Sequence, residues 1–110
     1  GGLQYVQVTP NHWWDGDVDS PTYNTMQVCE RSQCPFGTGS STGSENLDIP
    51  QYAHAVVMGV NKQRAPGKGS AFFLHSTDGG ATAGCVAIDD AKLVKIIQWL
   101  QPGALIAIAK

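Results

Sequence analysis

Apolar and polar positions along the 110-residue chain predict several short strands and one helix. Leu3-Gln4-Tyr5-Val6-Gln7-Val8 alternates with period two and stops at Thr9-Pro10, the pattern of a half-exposed strand. The segment from Tyr52 to Val60 is nearly all apolar and β-rich, which predicts a central strand buried on both faces. A turn follows over residues 61–69, which contain Pro66-Gly67, and the run Ala71-Phe72-Phe73-Leu74 then delivers His75 to its end. Strand, turn and strand predict an antiparallel hairpin ending at His75. Val86-Ala87-Ile88 is another short apolar run. Asp89 is a good helix N-cap, and Leu93, Ile96, Ile97 and Leu100 recur at helical spacing until Pro102-Gly103 ends the helix. Leu105-Ile106-Ala107-Ile108 reads as a closing strand. Residues 11–23, crowded with Asp, Gly, Pro and aromatic side chains, read as an ordered loop. Residues 37–46, rich in Gly and Ser, read as a flexible, exposed loop. The expected fold is mainly β with one amphipathic helix packed on the sheet, in a single domain over residues 1–110.

Composition narrows the function. A formal net charge of −2 carries no basic footprint, so no nucleic-acid partner is expected. No apolar run approaches the length of a transmembrane segment. The opening Gly1-Gly2 reads as the start of a mature or truncated chain, which leaves export open. Of the three cysteines, Cys29 and Cys34 flank the polar segment Glu30-Arg31-Ser32-Gln33. Two cysteines so placed form a local disulfide in an oxidising compartment, with Cys85 left over as a candidate reactive thiol. The alternative is that all three are reduced and Cys85 is a core residue.

The candidate chemistry lies between His75 and Cys85, which a small glycine-rich loop connects. An imidazole beside a thiol generates the thiolate that acts as a nucleophile at neutral pH. The helix that Asp89 begins places a partial positive charge downstream of Cys85, which would favour the thiolate if it points that way. Gly84 lets a carbonyl substrate approach the backbone, so the Gly84 and Cys85 amides are candidate oxyanion donors. A base histidine needs a third group on its other nitrogen; Ser76 offers its hydroxyl or carbonyl, and Asp78 is a second candidate better suited to a turn. His54, inside an apolar run, is expected to be a hydrogen-bonded core residue. His12 adjoins Trp13 and Trp14, a pair that would either line a groove or anchor the core, and Trp99 is expected to pack. A zinc site from Cys29, Cys34, His75 and Cys85 is the metal alternative, though no second paired ligand motif accompanies it.

The wider pattern resembles the L,D-transpeptidase (YkuD-like) catalytic domain. Phe73-Leu74-His75-Ser76, the short loop, Thr82-Ala83-Gly84-Cys85-Val86-Ala87-Ile88, the amphipathic helix and the final Ile106-Ala107-Ile108 carry the resemblance. It is strongest to the actinobacterial secreted branch, whose members have a Thr-Ala-Gly-Cys-Val-Ala motif. Trp14-Asp15-Gly16-Asp17, Tyr23-Asn24 and Gly67-Lys68-Gly69-Ser70 extend it upstream. Against the family's main pattern, Ala83 stands where a second histidine is usual, Ala87 replaces Asn or Arg, and the spacer after His75 is short.

The resemblance implies a YkuD-like β-sandwich or mixed-sheet domain in an exported or cell-envelope protein. Cys85 would be the nucleophile and His75 the base, with Ser76 and Gly84 completing the catalytic set. Thr82, Ala83, Tyr23, Asn24 and Trp14 would border the substrate, a peptidoglycan stem peptide, and no metal or organic cofactor is required. Further N-terminal strands are usual in the family, so the domain is expected to be N-terminally incomplete or compact. If it is incomplete, the missing part is an expected partner as a separate chain. The rival function is a non-catalytic secreted binding or inhibitor module on the same fold; a thiol hydrolase is a third reading.

Overall fold

A computed structural model describes residues 2–77 and 84–108. Among the described residues six short strands form two three-stranded sheets, and one α-helix follows the last strand. In the first sheet β1 (His12–Asp15) is central, pairing antiparallel with β2 (Thr25–Val28) on one side and β3 (Glu45–Asn46) on the other. In the second, β5 (Phe73–Ser76) is central, antiparallel to β4 (Ala55–Val57) and parallel to β6 (Val86–Ile88). Helix α1 (Asp90–Trp99) packs against β5. The expected mainly β fold with one helix is what the structure shows.

The sheets meet through aromatic side chains of their central strands. Trp14 of β1 and Phe73 of β5 pack edge to face with ring centroids 5.1 Å apart, and Leu47 completes the buried cluster. Trp13, on the other face of β1, donates its indole N–H to the Cys29 carbonyl at 3.0 Å and lies under the Arg31 guanidinium. Both faces of β1 are therefore buried. A strand buried on both faces shows no alternation, which is why residues 11–23 read as a loop although their start is the centre of a sheet.

Polar side chains tie down the chain after β1. Asp15 is fully buried and accepts hydrogen bonds from the Ser20 hydroxyl (2.5 Å), the Thr22 hydroxyl (2.7 Å) and the Asp17 amide (2.9 Å). Asp17 in turn accepts from the amides of Asp19 and Gly37, which hold its carboxyl below the ordinary 3.8. The Gly/Ser-rich stretch contains a short 3-10 turn at Ser40–Thr42 and runs into β3. Ser44 within it is buried and accepts from the Gly16 amide at 3.0 Å, so this part of the tract is not the exposed loop expected of it. Cys29 and Cys34 form a disulfide, which also takes two ligands from the zinc alternative.

Three other strand expectations change. Residues 3–8 and 104–108 belong to no strand, and Leu3, Tyr5, Leu105 and Ile108 are exposed. Their alternation is a surface that fits a sheet, but a strand exists only where a neighbour supplies its hydrogen bonds, and no described residue does so here. The apolar segment from Tyr52 to Val60 yields only Ala55–Val57 as a strand, at a sheet edge, with Val57 exposed. The doubly buried central strand is β5 instead. The antiparallel hairpin ending at His75 does form, with Ala55 opposite His75 and Val57 opposite Phe73.

Helix α1 follows its sequence signals. The Asp89 carboxylate accepts from the Lys92 amide at 3.3 Å, Leu93 is fully buried, and the helix stops at Leu100 before Pro102-Gly103. Trp99 departs from expectation: it lies on the solvent side and is 71 % exposed.

Candidate active site

The parallel pairing of β5 and β6 places His75 beside the strand that Cys85 immediately precedes. His75 is opposite Ala87 and Leu74 is opposite Val86. Side chains alternate along a strand, so Phe73, His75 and Ala87 project from the same side, while Leu74 and Val86 project from the other. Cys85 is half-buried, outside the disulfide, and packs against the Trp14–Leu47–Phe73 cluster.

His75 is buried, and its orientation is determined by its own strand. Its Nδ1 lies 2.7 Å from the Ser76 carbonyl oxygen. A carbonyl only accepts, so Nδ1 carries the proton and neutral His75 keeps its lone pair on Nε2. Ser76 thus meets the histidine through its backbone. The hydroxyl is engaged elsewhere, donating to the Asp90 carboxylate at 2.5 Å.

Tyr52 forms a wall of the site that sequence reading missed. Its ring packs edge-on to His75 and to Phe73, at centroid distances of 5.3 and 5.2 Å. Its hydroxyl donates to Glu45 at 2.7 Å. Burial first, then that hydrogen bond and the Glu45 charge, and last the Cys85 charge push the phenol well above its usual range, so it stays protonated. An aromatic in a short 3-10 turn before an edge strand carries no local signal of such a role.

Two backbone positions shape the thiol's surroundings. The Cys85 Sγ donates to the Ala71 carbonyl at 3.3 Å. Ala71 has φ +59°, a left-handed conformation that costs a residue with a Cβ about 1–2 kcal/mol. The Asn24 side-chain oxygen receives the Ala71 amide (3.3 Å) and the Trp14 indole N–H (3.0 Å), while its amide donates to the carbonyls of Val60 and Asn61. Asn24 is therefore a brace between the sheets behind the thiol. Gly84 is exposed at φ +112°, and a Cβ there would meet the Phe72 ring at 3.0 Å. That position requires glycine.

The remaining expectations fare unevenly. Trp14 and Tyr23 are 7 % and 4 % exposed, so core packing replaces the substrate contact expected of them. His54 is not in the core: it is exposed and donates from Nδ1 to Asp90 at 2.8 Å. His12 accepts from the Thr9 amide at 2.9 Å and stabilises the turn into β1. The start of α1 lies beyond the far end of β6 from Cys85, roughly 16 Å along the chain at strand rise, so its dipole gives the thiol no direct help. Thr82, Ala83 and Asp78 lie outside the described residues. A groove of about 810 Å³ on the Leu74 face, lined by Val56, Met58, Leu105 and Ile106, includes neither His75 nor Cys85. Among the described residues no cluster of His, Cys, Asp or Glu could hold a metal ion, and no helix is long and apolar enough to cross a membrane.

The family model of the L,D-transpeptidase catalytic domain (YkuD) matches residues 4–108, and the chain belongs to that family. Membership implies an L,D-transpeptidase-like activity directed at peptidoglycan. No curated protein and no solved structure matches the chain significantly.

Proposed function

We propose that this chain is an exported cysteine acyltransferase that forms a thioester on Cys85 with peptidoglycan stem peptides. One observation carries the reading: Cys85, next to β6, packs against the cluster of Phe73, which is two residues before His75 on β5, and His75 turns Nδ1 to the Ser76 carbonyl, so that Nε2 would serve as the base. Nε2 takes the Cys85 proton, and the thiolate attacks the peptide carbonyl that precedes a D-alanine. The carbon–nitrogen bond breaks, and D-alanine leaves with the proton from His75. An acceptor amine then attacks the thioester, gives its proton to His75, and releases the Cys85 thiolate as the new amide forms.

The Gly84 and Cys85 amides are the candidate oxyanion donors, and the exposed, left-handed Gly84 supports backbone access there. Thr82 and Ala83, which directly precede Gly84 in the sequence, are the candidate substrate contacts beside it. The motif from Thr82 to Ala87 supports assignment to the actinobacterial secreted branch. The Cys29–Cys34 disulfide supports an oxidising, extracytoplasmic location.

Intact mass after incubation with a carbapenem and, separately, iodoacetamide tests the reading. One adduct of each kind on the wild type and none on Cys85→Ala is expected, together with D-alanine release from a tetrapeptide stem. Alkylation of Cys85 without acylation by any carbapenem or stem peptide would instead identify a non-catalytic binding module. D-alanine release without a cross-linked product would identify a hydrolase.

A further inference from the structure

The Ser76 carbonyl that orients His75 sits at the end of β5. Two residues from separate segments converge there on one carboxylate. Asp90, the first residue of α1, accepts at Oδ1 from the Ser76 hydroxyl at 2.5 Å and from His54 Nδ1, just before β4, at 2.8 Å. The Thr77 amide donates to the Ile88 carbonyl at 2.8 Å, continuing the β5–β6 pairing past Ser76.

We infer that Asp90 is a positioning residue for His75, acting through Ser76. It clamps the end of β5 to the start of α1, so that the Ser76 carbonyl stays where His75 Nδ1 meets it. This inference rests on His75 being the base for Cys85. The two bonds in series make the hydroxyl and carbonyl of one serine serve different neighbours: the hydroxyl anchors the residue, and the carbonyl selects the histidine tautomer. Ser76 is held from both sides, by a backbone pairing and a charge-assisted side-chain bond. With the clamp removed, the carbonyl is free to shift. A displacement of about 1 Å in such a support costs catalysis up to roughly 100-fold.

The rate of Cys85 alkylation by iodoacetamide against pH, measured on the whole chain, reads thiolate formation without a substrate. Wild type, Ser76→Ala, Asp90→Ala, Asp90→Asn and His75→Ala are compared. Ser76→Ala retains the carbonyl and loses only the anchor. The expected result is a 10- to 100-fold loss of neutral-pH rate in Ser76→Ala and Asp90→Ala. A Ser76→Ala/Asp90→Ala double variant, measured alongside, should lose no more than either single one, and Asp90→Asn, which keeps an acceptor, should recover most of the rate. Nitrogen-15 spectra of the His75 ring should show the Nδ1–H tautomer in the wild type and its loss in Ser76→Ala, a readout that a merely structural role would not move. Profiles and tautomers unchanged in Ser76→Ala and Asp90→Ala, with His75→Ala strongly impaired, would overturn the inference and leave the base assignment standing. A His75→Ala profile equal to wild type would overturn the base assignment itself. If Asp90→Ala fails to fold, Ser76→Ala alone decides the question.

Discussion

The two sheets have the same number of strands and a comparable central strand, yet they use polar groups differently. In the β2–β1–β3 sheet the buried carboxylate of Asp15 is saturated by two hydroxyls and an amide of its own loop. The disulfide and the Asp17 contacts likewise end within that half. In the β4–β5–β6 sheet, buried His75 engages the Ser76 carbonyl through Nδ1, and a half-buried thiol outside the disulfide packs against Phe73. The first sheet meets its most buried charge from its own loop, whereas the second holds the histidine and thiol of the proposed chemistry. A polar group satisfied on every side stabilises a fold but has nothing left to offer a substrate.

The sharpest way to break this contrast is to remove a reactive group and a supporting group and compare what is lost. His75→Ala should lower thioester formation by roughly 10²- to 10⁴-fold while the protein still unfolds cooperatively. Stopped-flow acylation and urea unfolding of the same sample check it, and collapse of the fold would show that His75 is support as well. Phe73→Ala, at the junction of the sheets, should destabilise both together by about 3–5 kcal/mol. Two separate urea transitions would show that the sheets do not share one core.

Smaller effects sharpen the contrast. Asp15→Ala strands the Ser20 and Thr22 hydroxyls and the Asp17 amide and should cost roughly 1–3 kcal/mol, with acylation per folded molecule unchanged. A slower acylation rate at full folding would mean that the first sheet reaches the chemistry. Replacing Cys29 and Cys34 by serine opens a loop of five residues' separation and should cost about 2 kcal/mol in thermal or urea unfolding.

The smallest effect is the acid response, with one contributor in each half. The Gly37 and Asp19 amides hold Asp17 below 3.8, and the Ser76 hydroxyl and then His54 do the same for Asp90. Both carboxylates bind protons more weakly folded than unfolded. Their stabilisation is therefore complete above about pH 4 and declines as pH falls through their lowered folded values. Asp17→Asn and Asp90→Asn should each flatten the loss of stability below pH 4, measured by urea midpoints. An unchanged slope would assign the acid response to other carboxylates.

The amino-acid sequence by itself determined the helix, the hairpin into His75 and the chemical inventory of the site. Each is a local signal: the Asp89 cap acts within one turn, the apolar spacing of α1 repeats within ten residues, and the turn over residues 61–69 joins neighbouring strands. The tertiary structure decided which apolar runs became strands and which face each polar group meets. Trp14 acquires Met26, Glu45 and Phe73 as neighbours from three other elements, and no periodicity within residues 11–23 encodes them. Tyr52 beside His75, and Asp90 beneath Ser76, are contacts over 23 and 14 positions of chain. The reason is the range of the forces: capping and periodicity act within a few residues, whereas sheet order and side-chain partners depend on where distant segments come to rest.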